Sequence, residues 1–211
     1  MPLAKYGAFE ISKQPELTIY DAVRFLDQIG SALQYMHENG YVHRDIKPQN
    51  VLIFDTTFAL CDFSVSAKLH DPNELLSGEI GTSFFMAPQV ANQEQYKPKP
   101  ADMWSLGVTT YVLIYGTYPY DLQKIYDTSG QDMVKNNISR IQPLGDLTFP
   151  DYPILPKDLK DILRGLLDKD PDKRMTAAEL VNHPFIQNNK NNWSNIIQLM
   201  EESDVCVSNK V

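Results

Sequence analysis

The stretch that decides the reading is His43-Arg44-Asp45-Ile46-Lys47-Pro48-Gln49-Asn50, followed by two short β-favouring pieces and then by Asp62-Phe63-Ser64. One loop carries a carboxylate, a cation and an amide, and a second acid follows soon after. Magnesium takes oxygen ligands, few of them from protein and the rest from phosphates and water. A phosphoryl-transfer loop also needs a carboxylate that orients the attacking hydroxyl. Two acids and an amide supply both parts. A lone His-Arg-Asp is common by chance, and most surface aspartates only solvate a fold, so the weight lies on the joint occurrence.

Upstream of this loop, apolar Ala22, Phe25, Leu26, Ile29, Leu33 and Met36 recur at helical steps, with Thr18 as N-cap, Asp21 three residues on, and Gly40 to stop the helix. Downstream, Val51 to Phe54 and Phe58 to Cys61 flank the turn-like Asp55-Thr56-Thr57, which reads as a small hairpin. From Asp62 to Gln89 there is little periodicity, and a long surface loop is expected, of a length that is usually functional or disordered. The segment Met103 to Tyr115 is apolar on nearly every face, as for a helix at a domain's centre. Asp121 to Leu155 is polar and irregular. Helical pattern returns in Lys157 to Leu167 and after the capping box Thr176-x-x-Glu179. Residues 187–211 are asparagine-rich, with one amphipathic patch at Trp193, Ile196, Ile197 and Met200, and read as a mobile tail or a docking helix.

The composition bounds the rest. With 211 residues, 43% hydrophobic and 22% charged, the chain suffices for one compact domain with a core and is short for two. A net charge of -8 argues against a nucleic-acid partner. Cys61 and Cys206 lie far apart without metal-ligand spacing, which suits a reducing compartment, and neither a signal peptide nor a membrane-spanning run is apparent. A cytoplasmic protein without nucleic-acid or membrane partners is expected.

Motif after motif, and in order, the sequence resembles the C-terminal lobe of eukaryotic protein kinases over nearly all of residues 1–186. His43 to Asn50 is similar to the catalytic loop and Asp62-Phe63-Ser64 to the metal-binding Asp-Phe-Gly. The stretch 62–89, with Gly81-Thr82 and Ala87-Pro88-Gln89, is similar to the activation segment. Asp102-x-Trp104-Ser105-x-Gly107 resembles the buried central helix; Asp170-Pro171-x-x-Arg174-x-Thr176 and His183-Pro184-Phe185 resemble the closing helices. The resemblance implies a fold that is mainly α with a small β-hairpin, a protein-kinase-like C-lobe lacking the N-lobe, and a serine/threonine protein kinase using ATP and Mg2+ on a protein substrate. It gives Asp45 the substrate hydroxyl, Lys47 the transferring phosphate, and Asn50 and Asp62 the magnesium. Leu52 would lie beneath the adenine, with Leu3 of the hinge-like Met1-Pro2-Leu3-Ala4 nearby. Lys47 and Thr82 resemble the serine/threonine-specific pattern, with Thr82 bracing Asp45 and Lys47. Arg44 would pair with charge on the activation segment, where Ser77 is the candidate phosphate acceptor and an unmodified loop serine the alternative. His43 and Phe63 would pack to align the loop, and Asp102 would anchor it by accepting backbone donors. Leu75-Leu76-Ser77, Gly81-Thr82, Phe85 to Pro88 and Asp158 to Leu163 resemble the calcium/calmodulin-dependent protein kinase kinases and their relatives.

The sequence departs from that family at three points. Nothing resembles the glycine-rich loop, the strand lysine or its helix glutamate, so the N-lobe is read as missing. An isolated chain would then be weakly active or inactive, with an N-lobe or a partner protein covering the exposed cleft. Ser64 stands where the family has glycine, which predicts restricted loop flipping. Gln89 replaces the glutamate that would pair with Arg174, which predicts a poorly compensated cation. The rival function is a kinase-like binding module that does not transfer phosphate.

Overall fold

The computed structural model describes residues 17–54, 57–91, 95–120 and 147–190. Helix α1 (Ile19–Glu38) begins where the Thr18 side chain accepts the Asp21 N–H, and it buries Ala22, Phe25, Leu26, Ile29 and Leu33 on one face. The cap satisfies one of the orphan donors of the first turn. Two strand pairs follow. Strand β1 (Tyr41–Val42) pairs antiparallel with β4 (Ala67–Lys68), and β2 (Val51–Ile53) pairs with β3 (Phe58–Leu60) in the register Val51 to Leu60 and Ile53 to Phe58. The β2–β3 hairpin closes through Phe54 N–H donating to Thr57 O at 2.8 Å; Asp55 and Thr56 lie outside the described residues.

Helix α2 (Pro88–Ala91) is short, and α3 (Pro98–Tyr115) is the centre of the molecule. It starts earlier than its apolar run suggests, because Pro98 and Pro100 occupy the first turn, where no intrahelical donor is needed. It ends on Gly116 in the left-handed region at φ 66, whose N–H returns to Val112 O. All-round burial follows from two separate cores. Met103, Leu106, Tyr111, Leu113 and Ile114 face the larger core with α1, α4 (Lys157–Leu166), α5 (Ala177–Val181) and α6 (Pro184–Asn189). Ala101, Trp104, Val108 and Val112 face a second core with Phe85, Met86, Val90, Tyr96 and Tyr120. The Trp104 and Tyr120 rings stack with centroids 5.8 Å apart.

Two expectations are corrected. The stretch 62–89 is not simply a surface loop: β4 anchors its start, a 3-10 turn spans Ser83–Phe85, and Leu69, Phe85, Met86 and Ala87 are buried. Leu76 and Tyr96 form a further antiparallel bridge across it. The last helix runs past residue 186 to Asn189, whose side chain is buried, so the tail expected from 187 starts inside a packed helix. The hinge-like 1–4 with Leu3, most of Asp121 to Leu155, and the patch at Trp193 to Met200 lie outside the described residues. No helix among the described residues is long and apolar enough to cross a membrane.

Candidate active site

The loop His43 to Asn50 is held from below by one face of α3. Asp102, 1% exposed, accepts from the backbone N–H groups of His43 at 2.9 Å and Arg44 at 2.8 Å. Its Oδ2 also meets Nε2 of the buried His37 at 3.0 Å. One turn further, the Ser105 hydroxyl donates to Phe85 O at 2.8 Å, and Thr109 donates to Ile46 O at 3.3 Å. Asp102, Ser105 and Thr109 recur at helical spacing, so a buried polar stripe positions both the loop and the end of the 62–89 segment. The anchoring expected of Asp102 is seen. Nothing in their spacing singled out His37 or Thr109.

Above this stripe the functional side chains converge on Asp45. Lys47 Nζ pairs with Asp45 Oδ2 at 2.7 Å. The Thr82 hydroxyl donates to Asp45 Oδ1 at 2.8 Å and itself accepts from Lys47 Nζ at 2.7 Å. Asn50 Nδ2 donates to both the carbonyl (2.8 Å) and the carboxylate (3.0 Å) of Asp45. Burial would push the Asp45 carboxyl up; the hydrogen bonds from Lys47 and Thr82, the Lys47 charge and the Asn50 amide outweigh it and hold the group below its ordinary 3.8. The turn needs unusual backbone. Arg44 sits at φ 69, and Gly81 at φ 117 lies so close that a Cβ there would come within 2.6 Å of Arg44 O. Only glycine fits both demands.

His43 links the loop to the second acid. Its Nδ1 accepts from Asp45 N–H at 3.3 Å, which leaves the proton on Nε2 to donate to Cys61 O at 3.1 Å. The Phe63 ring meets His43 edge-on at 5.1 Å, yet it stays 51% exposed, so its packing is one-sided. Asp62 is exposed and left-handed at φ 61. Hydrogen bonds from the Ser64 side chain and backbone hold its carboxyl below 3.8, with the Lys47 charge assisting. Positive φ falls on Asp62 and not on Ser64, so serine carries no backbone strain in this arrangement.

Magnesium fits the donor set. With its nitrogen committed to Asp45, the Asn50 amide turns its oxygen the other way, and the Asp62 carboxylate is exposed; both are hard oxygen donors. Among the described residues no cluster of three or more His, Cys, Asp or Glu side chains could hold a metal alone. An ion here would draw its remaining ligands from phosphate and water. Leu52 alternates with Val51 and Ile53, which pack toward the core, and so lies on the opposite face of the hairpin, half-buried.

Arg44 and Arg174 are both held by backbone carbonyls. Arg44 Nε donates to Val65 O at 2.6 Å, inside the 62–89 segment, while Ser77 is exposed on the same segment. Arg174, 3% exposed, has Gln89 Oε1 at 3.4 Å. Neutral groups stand in for the missing carboxylate: Arg174 donates to Asp168 O at 2.9 Å and Pro100 O at 2.8 Å, and lies 5.0 Å over the Trp104 ring. Burial still pushes its guanidinium down to about 10, and Gln89 Nε2 is buried with no hydrogen-bond partner among the described residues.

Residues 4–186 match the family profile of the protein kinase domain. The chain is 32% identical to Aurora kinase of Schizosaccharomyces pombe over 82% of its length and 45% of that protein. It is 34% identical to NUAK family SNF1-like kinase 1 of Mus musculus, over 87% of this chain and 25% of that one. To a calcium/calmodulin-dependent protein kinase of Metarhizium anisopliae it is 31% identical, over 90% and 49% respectively. It thus spans less than half the length of these relatives.

Proposed function

The chain belongs to the protein kinase family, and from that premise we propose that residues 1–186 form the substrate-side, C-terminal lobe of a serine/threonine kinase, with 1–4 as hinge, 43–50 as catalytic loop and 62–89 as activation segment. The observation that carries this reading is the single cluster in which Asp45, Lys47, Asn50 and Thr82 share hydrogen bonds. Asp45 orients the serine or threonine hydroxyl of a protein substrate. Because its carboxyl is held low, it is a weak base, so it takes the proton late, as the new oxygen–phosphorus bond forms and the bond to the ADP leaving group breaks. Lys47 keeps positive charge beside the oxygens of the transferring group. Asn50 and Asp62 hold magnesium, which neutralises phosphate oxygens when bound. Leu52 supplies an apolar platform for adenine.

Within the 211 residues there is no G-x-G-x-x-G, and Leu52 is half-buried on the face turned from the core, which supports completion of the cleft by an N-lobe or partner protein. One observation favours the binding-module alternative: the Phe63 ring of the metal motif is half exposed. Joined to an N-terminal kinase lobe and given ATP and magnesium, the chain should phosphorylate serine and threonine peptides over tyrosine peptides, and Asp62→Ala should remove that activity. Transfer mainly to tyrosine would overturn the specificity. A folded chimera that binds ATP and transfers nothing would favour the module.

A further inference from the structure

A second hollow lies away from the Asp45 cluster, between the last turns of α1, the start of α3 and the segment leading into α5. It holds about 210 Å³ and is walled by Gln34, Pro100, Met103, Met175, Ala177 and Ala178, with Lys99 on its rim. Its lining also includes His37, so an occupant would sit two hydrogen bonds from His43 and Arg44 through Asp102.

We propose that this hollow is the seat of the chain's own segment Trp193–Met200. The path is set by the last described contact. Lys190 Nζ reaches Asp27 on α1 at 3.1 Å. Asp27, Ser31, Gln34 and Glu38 fall on one stripe of that helix, so the anchor and the hollow share a face. From Asp27 to Gln34 the helix rises ~10 Å, and the three residues from Lys190 to Trp193 span up to ~10 Å when extended. Trp193, Ile196, Ile197 and Met200 recur at helical spacing, with no charge from Trp193 to Met200. Methionines on two walls adapt to such a face. Glu201 and Glu202 follow at once, matched by Lys99 on the rim, while the acid on that rim, Glu38, already accepts from Gln34 Nε2 at 2.8 Å.

Trp104 is 1% exposed, so acrylamide quenching of the full chain's fluorescence reads Trp193. The wild-type chain should quench several-fold less than a free indole. Ala178→Arg, on an exposed position of the wall, and Gln34→Arg, on the facing wall, should each raise quenching several-fold with the circular dichroism unchanged. Free quenching in the wild type, or protection that survives both substitutions, would overturn the proposal. Protection that vanishes on dilution together with a dimeric mass would assign the hollow to a second copy and overturn it equally.

Discussion

The Thr82 hydroxyl donates to Asp45 Oδ1 at 2.8 Å, joining two residues 37 positions apart. It fixes the carboxylate that the proposed mechanism depends on, and it also takes a hydrogen bond from Lys47. Thr82→Ala should therefore lower kcat of the lobe-completed kinase by roughly tenfold or more, the scale of one lost hydrogen bond of about 1.5 kcal/mol in a positioned site. Thr82→Ser should restore most of it, with KM for ATP little changed. Equal kcat for the alanine and threonine forms would remove Thr82 from the site.

Gly81 and Gly78 separate strain from collision. Both have positive φ, but a Cβ on Gly78 meets open space whereas one on Gly81 meets Arg44 O at 2.6 Å. Gly81→Ala should cost more than Gly78→Ala, which should cost about 1–3 kcal/mol in urea unfolding. The reverse order would contradict the packing of the 62–89 segment on the Arg44 turn.

Gln89→Glu should stabilise the chain. The carboxylate replaces an Nε2 that has no partner among the described residues and gives the buried Arg174 a charged acceptor. A gain of about 1–3 kcal/mol is expected, seen as a rise in Tm of roughly 2–12 °C. Gln89 takes no part in the hydrogen bonds that position Asp45, so kcat should be unaffected.

Acid should loosen the α5 end through Glu179. Hydrogen bonds from the Thr176 backbone and side chain hold its carboxyl below 4.5 in the folded chain. A group depressed on folding contributes stability above its unfolded value and loses it as pH falls through the folded one. Glu179→Gln should flatten the loss of stability below pH ~4.5. An unchanged acid limb would show that the capping box does not set it.

What was legible follows physical lines. Helix α1 announced itself because one capped, amphipathic face meets one core. The extent of α3 did not, since two cores hide its period and its prolines mask its first turn. The β1–β4 pair is two residues per strand, too short for any pattern to mark. The side chains around Asp45 were readable as a motif in the order of the chain. Their scaffold was not: His37 and Thr109 act through single hydrogen bonds to distant residues, and positive φ at Arg44 and Asp62 is set by packing and not by residue type. The relatives reported belong to Aurora, NUAK and calmodulin-dependent groups at similar identity, so the motifs that mark the family do not single out one of these groups.

The most direct measurement compares Asp45 and Asp45→Asn chains, each joined to the same N-terminal kinase lobe, for transfer of the ATP terminal phosphoryl group to a serine peptide. Asparagine keeps the shape and can still meet Thr82, but it loses the charge that pairs with Lys47 and the capacity to take the hydroxyl proton. The account predicts a fall in kcat of about 10²-fold or more, with ATP affinity retained. Equal turnover by the two proteins would contradict it.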